Sequence, residues 1–126
     1  MLLNFLWSEQ EENGGWFGRW GVNYIYGTAA VLPALAEIGE DMTQKQIQRA
    51  ESWIIHSQNN DGGWGETCAS YMELDLAGTG VSTASQTAWA LIALLAGDNP
   101  SSADAIRRGL NLSLYTHLTL PTICSV

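Results

Sequence analysis

The chain has 126 residues, 46% of them hydrophobic and 14% charged, with a formal net charge of −8. That length suits one domain with a real core and no more, and the composition is that of a packed globular protein rather than a disordered one. Only Arg19, Lys45, Arg49, Arg107 and Arg108 are positive, so the chain offers no basic cluster to a nucleic acid.

Taken in order, Met1-Leu2-Leu3 lacks a basic lead, and Glu9, Glu11 and Glu12 follow at once, which argues against a secretory signal. Leu2 to Gln10 reads as a helix ending in a polar run. Next comes Trp16-Phe-Gly-Arg-Trp-Gly-Val-Asn-Tyr-Ile-Tyr-Gly-Thr28, in which five of thirteen residues are aromatic and three are glycine. Such a segment either packs a corner between helices or lines an apolar wall with ring faces. Gly27 to Ile38 is apolar on nearly every side and stops at Gly39. Pro33 within it is expected to bend it. Thr43 to Ser57 opens on a capping-box pattern, Thr43 with Gln46, and sets Ile47, Ala50, Trp53 and Ile54 on one face. Residues 66–80 form a long loop without periodicity, ending in Gly78-Thr79-Gly80. Ser82 to Ala96 is again apolar almost all round, Gly97-Asp98-Asn99-Pro100 breaks it, and a fifth helix starts near Ser101. Cys68 and Cys124 make no metal spacing and no disulfide framework, which suits a reducing compartment, with Cys68 an ordinary loop thiol.

A repeat underlies this order. Phe5, Gln10, Gly14, Gly15 and Trp16 return 48 positions later as Trp53, Gln58, Gly62, Gly63 and Trp64. Beyond them Thr28-Ala29 and Leu32 return as Thr87-Ala88 and Leu91, so the second copy carries 11 extra residues. Amphipathic helices, which suit an outer layer, alternate with helices apolar on all sides, which must be enclosed. Tandem alternation of this kind is the pattern of an all-α fold, part of an α/α barrel (toroid) of inner and outer helices, with an α-solenoid as the nearest competitor. From Leu112 the pattern fails. Residues 112–126 resemble the in-frame translation of a sequencing adapter. Residues 1–111 are therefore read as a fragment of the barrel domain and 112–126 as a non-native tail, in which His117 and Cys124 carry no function.

The unit of Gln followed by Gly-Gly-Trp resembles the QW motif of the class II triterpene cyclases. Asp61-Gly-Gly-Trp-Gly-Glu66, the Trp16–Thr28 run and Ser82-Thr-Ala-Ser-Gln-Thr-Ala-Trp-Ala90 together resemble the bacterial squalene–hopene cyclases, over roughly Leu2 to Leu110. The resemblance places the segment in the later part of a much longer isomerase. That family protonates a terminal alkene of a linear polyprene such as squalene and closes rings by migration of a carbocation, with no cofactor and no metal. It implies a catalytic-site role for Trp20, facing the first-formed cation, and for Tyr26, near the catalytic acid and able to help return its proton. Asn23, in the same turn, is a candidate for that acid's hydrogen-bond network. Gln86 and Trp89 are candidates for the cavity wall. Gln10, Gly15, Trp16, Gln58, Gly63 and Trp64 are read as structural braces between outer helices: glycines for the turn, Gln for exposed backbone groups, Trp to pack on it.

The family's Asp-x-Asp-Asp acid motif does not occur in the chain. Glu73-Leu74-Asp75, the nearest acidic pairing, reads as solvated loop, so these residues alone are expected to be inactive. The resemblance further implies a peripheral, monotopic enzyme on the cytoplasmic side of a membrane leaflet, able to form a homodimer. Other class II terpene or oxidosqualene cyclases would share the braces. A prenyltransferase β-subunit would need zinc ligands, and no suitable cluster exists. A Trp-rich binding or interaction module would need Trp16 and Trp64 exposed, whereas braces need them buried.

Overall fold

The computed structural model describes residues 2–19 and 21–115. Five α-helices follow one another: α1 (Leu2–Ser8), α2 (Tyr24–Glu37), α3 (Lys45–Ser57), α4 (Ala84–Gly97) and α5 (Ala103–Tyr115). Short 3-10 turns lie at Cys68–Tyr71, Leu74–Leu76 and Pro100–Ser102. No strand occurs among the described residues; a lone bridge pairs Gln10 with Trp16. The apolar helices α2 and α4 pack on each other, with α3 and α5 against α4. Ile25, Leu32, Leu35, Ile47, Ile54, Trp64, Ala93 and Leu94 are fully or almost fully buried between them.

The two kinds of helix take the places their sequences require. On α3, Lys45, Gln48, Arg49, Ser52 and His56 face out, while Ile47, Ala50 and Ile54 face in. Helix α4 is covered by α2, α3 and α5 but leaves Ala84, Ala88, Ile92 and Leu95 exposed, an apolar line at helical spacing. The inner helices are thus only partly enclosed by the described residues.

The ends of helices differ from expectation for local reasons. Helix α3 begins at Lys45, not Thr43, because the Thr43 hydroxyl donates to Asp41 Oδ1 at 2.6 Å instead of capping the helix. That bond, and a second from the Thr43 N–H at 2.9 Å, hold the Asp41 carboxyl below its ordinary pKa. Helix α4 begins at Ala84 with Thr83 as a true cap, its hydroxyl accepting from the Gln86 N–H at 3.2 Å. Pro33 sits inside α2 without ending it. Helix α5 runs past residue 111, and Leu112 is buried. Cys68 is not the free thiol expected of it.

Glu51 on α3 is a buried carboxylate, 1% exposed. Its Oε1 accepts from Asn99 Nδ2 at 3.3 Å. Its Oε2 has no hydrogen-bond partner and lies against Gly97, where any side chain would strike it. Desolvation raises the pKa of this group, opposed by the Asn99 bond. A raised folded-state pKa gives stability that is full below the unfolded value of about 4.3 and is lost as pH climbs through the folded value. Glu51→Gln is therefore expected to melt higher than the parent at pH 8, with the advantage shrinking toward pH 5. An advantage independent of pH, or none at pH 8, would contradict this account.

Candidate functional site: the aromatic loop and its braces

The two Gly-Gly-Trp turns are near copies. Gln10 uses both amide hydrogens, donating to its own turn at Gly14 O (2.8 Å) and to Gln46 O of the next outer helix (2.8 Å). Gln58 does the same, to Gly62 O (2.8 Å) and to Ala105 O of α5 (2.9 Å). The Trp16 indole N–H donates back to Leu6 O at 2.8 Å, and that of Trp64 to Ile54 O at 2.7 Å. Their backbone N–H groups donate to Thr28 and Thr87 hydroxyls, each at 3.0 Å. Each turn thus ties the outer helix before it, the outer helix after it and the inner helix behind it. Gly15 and Gly63 complete the turns, their N–H groups donating to Asn13 Oδ1 (2.8 Å) and Asp61 Oδ1 (2.9 Å). Gly14 and Gly62 carry φ of +99° and +96°, and a Cβ there would lie 2.6 and 2.7 Å from the Arg49 and Arg108 carbonyl oxygens. Only glycine allows that approach.

Trp16 is 3% exposed and Trp64 0%. Burial between helices is what a brace needs, and it denies these rings to an external ligand. The indole N–H groups are spent on backbone carbonyls of the preceding outer helices.

Between Trp16 and Thr28 the chain goes out and returns. The Trp16–Thr28 bond closes its base, and Asn23 Oδ1 accepts from the Gly18 N–H at 3.0 Å to close it higher up. Asn23 is fully buried, with its Nδ2 unpartnered. Tyr26 lies in the first turn of α2, half-buried, with its ring over Gly21. It meets Trp89 of α4 edge-on, centroids 4.9 Å apart at 69°. Phe17 makes similar contacts with Tyr24 (5.6 Å) and Tyr71 (5.7 Å). Trp20 lies outside the described residues. Gly27 sits where α2 crosses the loop base; a Cβ there would strike the Trp16 carbonyl and come within 2.9 Å of Gly18 N. Gly27→Ala gains about 1 kcal/mol in helix propensity. Overpacking against pinned backbone costs about 1–3 kcal/mol or more, so a net loss is expected in urea unfolding. An alanine variant at least as stable as the parent would refute the close approach.

What sequence reasoning missed is how the loop is held. Glu66, 8% exposed, accepts from the N–H groups of Asn23 (3.1 Å), Tyr24 (3.1 Å) and Ile25 (3.0 Å). It supplies the cap that Asn23, the residue before α2, does not. Tyr71 donates its hydroxyl to Gly21 O at 2.6 Å, and buried Gln86 donates its amide to Val22 O. Desolvation, with the Glu66 charge behind it, raises the Tyr71 pKa and keeps that donor protonated; for Tyr24 desolvation leads, then Glu11 and Glu66. A signal for this was present. At the offset of 48 Glu66 stands where the first copy has Gly18, and at 59 Gln86 stands where it has Gly27.

Among the described residues no group of His, Cys, Asp or Glu could hold a metal ion, and no helix is long and apolar enough to cross a membrane. Known proteins similar to this chain are triterpene cyclases. The squalene–hopene cyclase of Zymomonas mobilis is 50% identical over 111 residues, 86% of this chain and 17% of its own. That of Alicyclobacillus acidocaldarius is 52% identical over 114 residues, 90% of this chain and 18% of its own. Dammaradiene synthase of Dryopteris crassirhizoma is 52% identical over 127 residues, again 90% of this chain and 18% of its own. The chain therefore spans less than a fifth of the length of these relatives. The model of the squalene–hopene cyclase C-terminal domain matches residues 1–118, past the boundary drawn at 111 on the sequence. With its helices alternating as in an α/α barrel and its two buried Gln–Trp braces, the chain belongs to the squalene–hopene cyclase C-terminal domain family.

Proposed function

We propose that this chain supplies part of the reaction chamber of a cyclase that turns squalene, or a similar linear polyprene, into polycyclic product. The observation that carries the reading is the pinned loop Trp16–Thr28, which gathers aromatic rings at the N-terminus of an inner helix in a domain of this family. A carboxylic acid outside these residues would protonate the terminal alkene. The new C–H bond leaves a cation on the more substituted carbon. Each ring closure then consumes one alkene and passes the charge along, until a proton is lost or water adds. Ring faces stabilise such a cation by about 0.5–2 kcal/mol each without offering a lone pair to quench it.

In this reading Trp20 faces the first cation. Tyr26, held against Gly21 and Trp89, helps return a proton to the acid, and Asn23 belongs to the same polar network. Gln86 and Trp89 back the wall. These 126 residues alone would be inactive, lacking the Asp-x-Asp-Asp acid, and the whole enzyme would draw its substrate from a membrane leaflet as a peripheral protein. Dammaradiene synthase, as similar to this chain as the hopene cyclases are, favours a second version of the reading, in which the same braces serve a cyclase with another product.

The test is a chimaera: residues 2–111 of this chain replacing the matching segment of the Alicyclobacillus acidocaldarius enzyme, incubated with squalene and its products separated by gas chromatography. Polycyclic product is expected. A folded chimaera that returns squalene unchanged would end the reading.

A further inference from the structure

We infer that Glu66 is a positioning residue for the reacting loop: from the second repeat it fixes the first turn of α2, and so the direction in which Tyr26 and the loop bearing Trp20 face the chamber. This rests on the cyclase reading above. Five consecutive residues of the loop are each held by the second copy. Tyr71 takes the Gly21 carbonyl, Gln86 that of Val22, and Glu66 the N–H groups of Asn23, Tyr24 and Ile25. Both Glu66 oxygens are used, Oε1 twice and Oε2 once. A buried carboxylate satisfied by helix-end amides makes charge-assisted bonds and also meets the positive end of the helix dipole. Its partners are backbone, so it acts on where the helix starts rather than on any one side chain.

The repeat shows that this hold is special to the aromatic loop. The brace residues recur in both copies with the same partners, as a general scaffold should. Glu66 and Gln86 do not recur: their counterparts are Gly18 and Gly27, which have no side chain to reach with. The added polar groups sit only in the copy that faces the loop, and both close on it. Asn23, the residue that would ordinarily cap α2, is instead spent on the Gly18 N–H. With Glu66 taking the amides, Asn23 can fold the loop back while the helix still starts at Tyr24.

The experiment uses the chimaera with Glu66→Ala and Glu66→Gln, following turnover, product distribution and amide hydrogen exchange. A misplacement of about 1 Å at a reacting group can cost about 100-fold in rate. Glu66→Ala is accordingly expected to lower kcat by about 100-fold with KM little changed, and to shift product toward partly cyclised compounds as a misdirected cation loses its proton early. The amides of Asn23, Tyr24 and Ile25 should exchange fast while those of α3 and α5 stay protected. Glu66→Gln, which keeps one acceptor oxygen but turns an NH2 toward the Tyr24 N–H, should fall between. The inference is overturned if those three amides exchange as in the parent, or if kcat falls only with the unfolded fraction and the product ratio is unchanged. Should the unmutated chimaera make no cyclic product, the cyclase reading fails, and the exchange comparison still decides whether Glu66 holds the turn.

Discussion

Trp64→Ala is expected to destabilise the fold by about 3–5 kcal/mol, the range for deleting a large buried aromatic side chain. Trp64 is the largest of the fully buried side chains, packed where α4, α5 and the second brace converge. It fills the space over Gly109, where a Cβ would lie 2.9 Å from its ring. Set against a total stability of about 5–15 kcal/mol for an ordinary domain, that loss is between a fifth and the whole of it. Urea unfolding of the chimaera and its variant would measure it, and a loss under about 1 kcal/mol would contradict a packed, buried Trp64. Trp64→Phe separates two effects. It keeps most of the apolar area but strands the Ile54 carbonyl, 2.7 Å from the indole nitrogen, at a cost of about 1–3 kcal/mol. The matching change at Trp16 should cost less, because its anchor α1 is a short helix with no buried residue.

If Trp20 faces the cation as proposed, Trp20→Ala in an active chimaera is expected to reduce turnover about 30-fold, the equivalent of roughly 2 kcal/mol of ring–cation stabilisation. Trp20→Phe should recover most of that, since a ring face remains. Tyr26→Phe asks a different question: it retains the ring and its contact with Trp89 but removes the hydroxyl proposed to pass the proton back. A slower regeneration of the acid with unchanged product ratio is expected there. Parental rate and product pattern in Trp20→Ala would remove the cation from this loop altogether. Thermal melts of each variant separate lost chemistry from lost folding.

The braces explain why such substitutions can be read at all. Each Gln–Trp unit gives one amide hydrogen to its own turn, the other to the following outer helix, and its indole N–H to the preceding one. Arg49 and Arg108 add bonds to the turn carbonyls, Arg49 to Glu11 and Glu12, Arg108 to Asn59 and Asn60. A loop mounted on such a frame can lose a ring without the frame moving, because the frame's bonds run through backbone and the braces' own side chains.

Much of this was legible in the residues alone. The recurrence of Gln10 and Trp16 as Gln58 and Trp64, and the alternation of amphipathic with wholly apolar helices, determined an all-α repeat with inner and outer layers and assigned the braces, because repeats and helix faces are written at short range in sequence. Tertiary structure decided what fixes the aromatic loop. Helix α2 starts at Tyr24 rather than Gly27 because Glu66, more than forty residues away, supplies its cap. Likewise Trp89 meets Tyr26, and Glu51 loses its water beside Gly97, only once α2, α3 and α4 are packed. Local pattern reveals which face of a helix is apolar; which distant carboxylate will find its free amides is set by the packing that brings the two together.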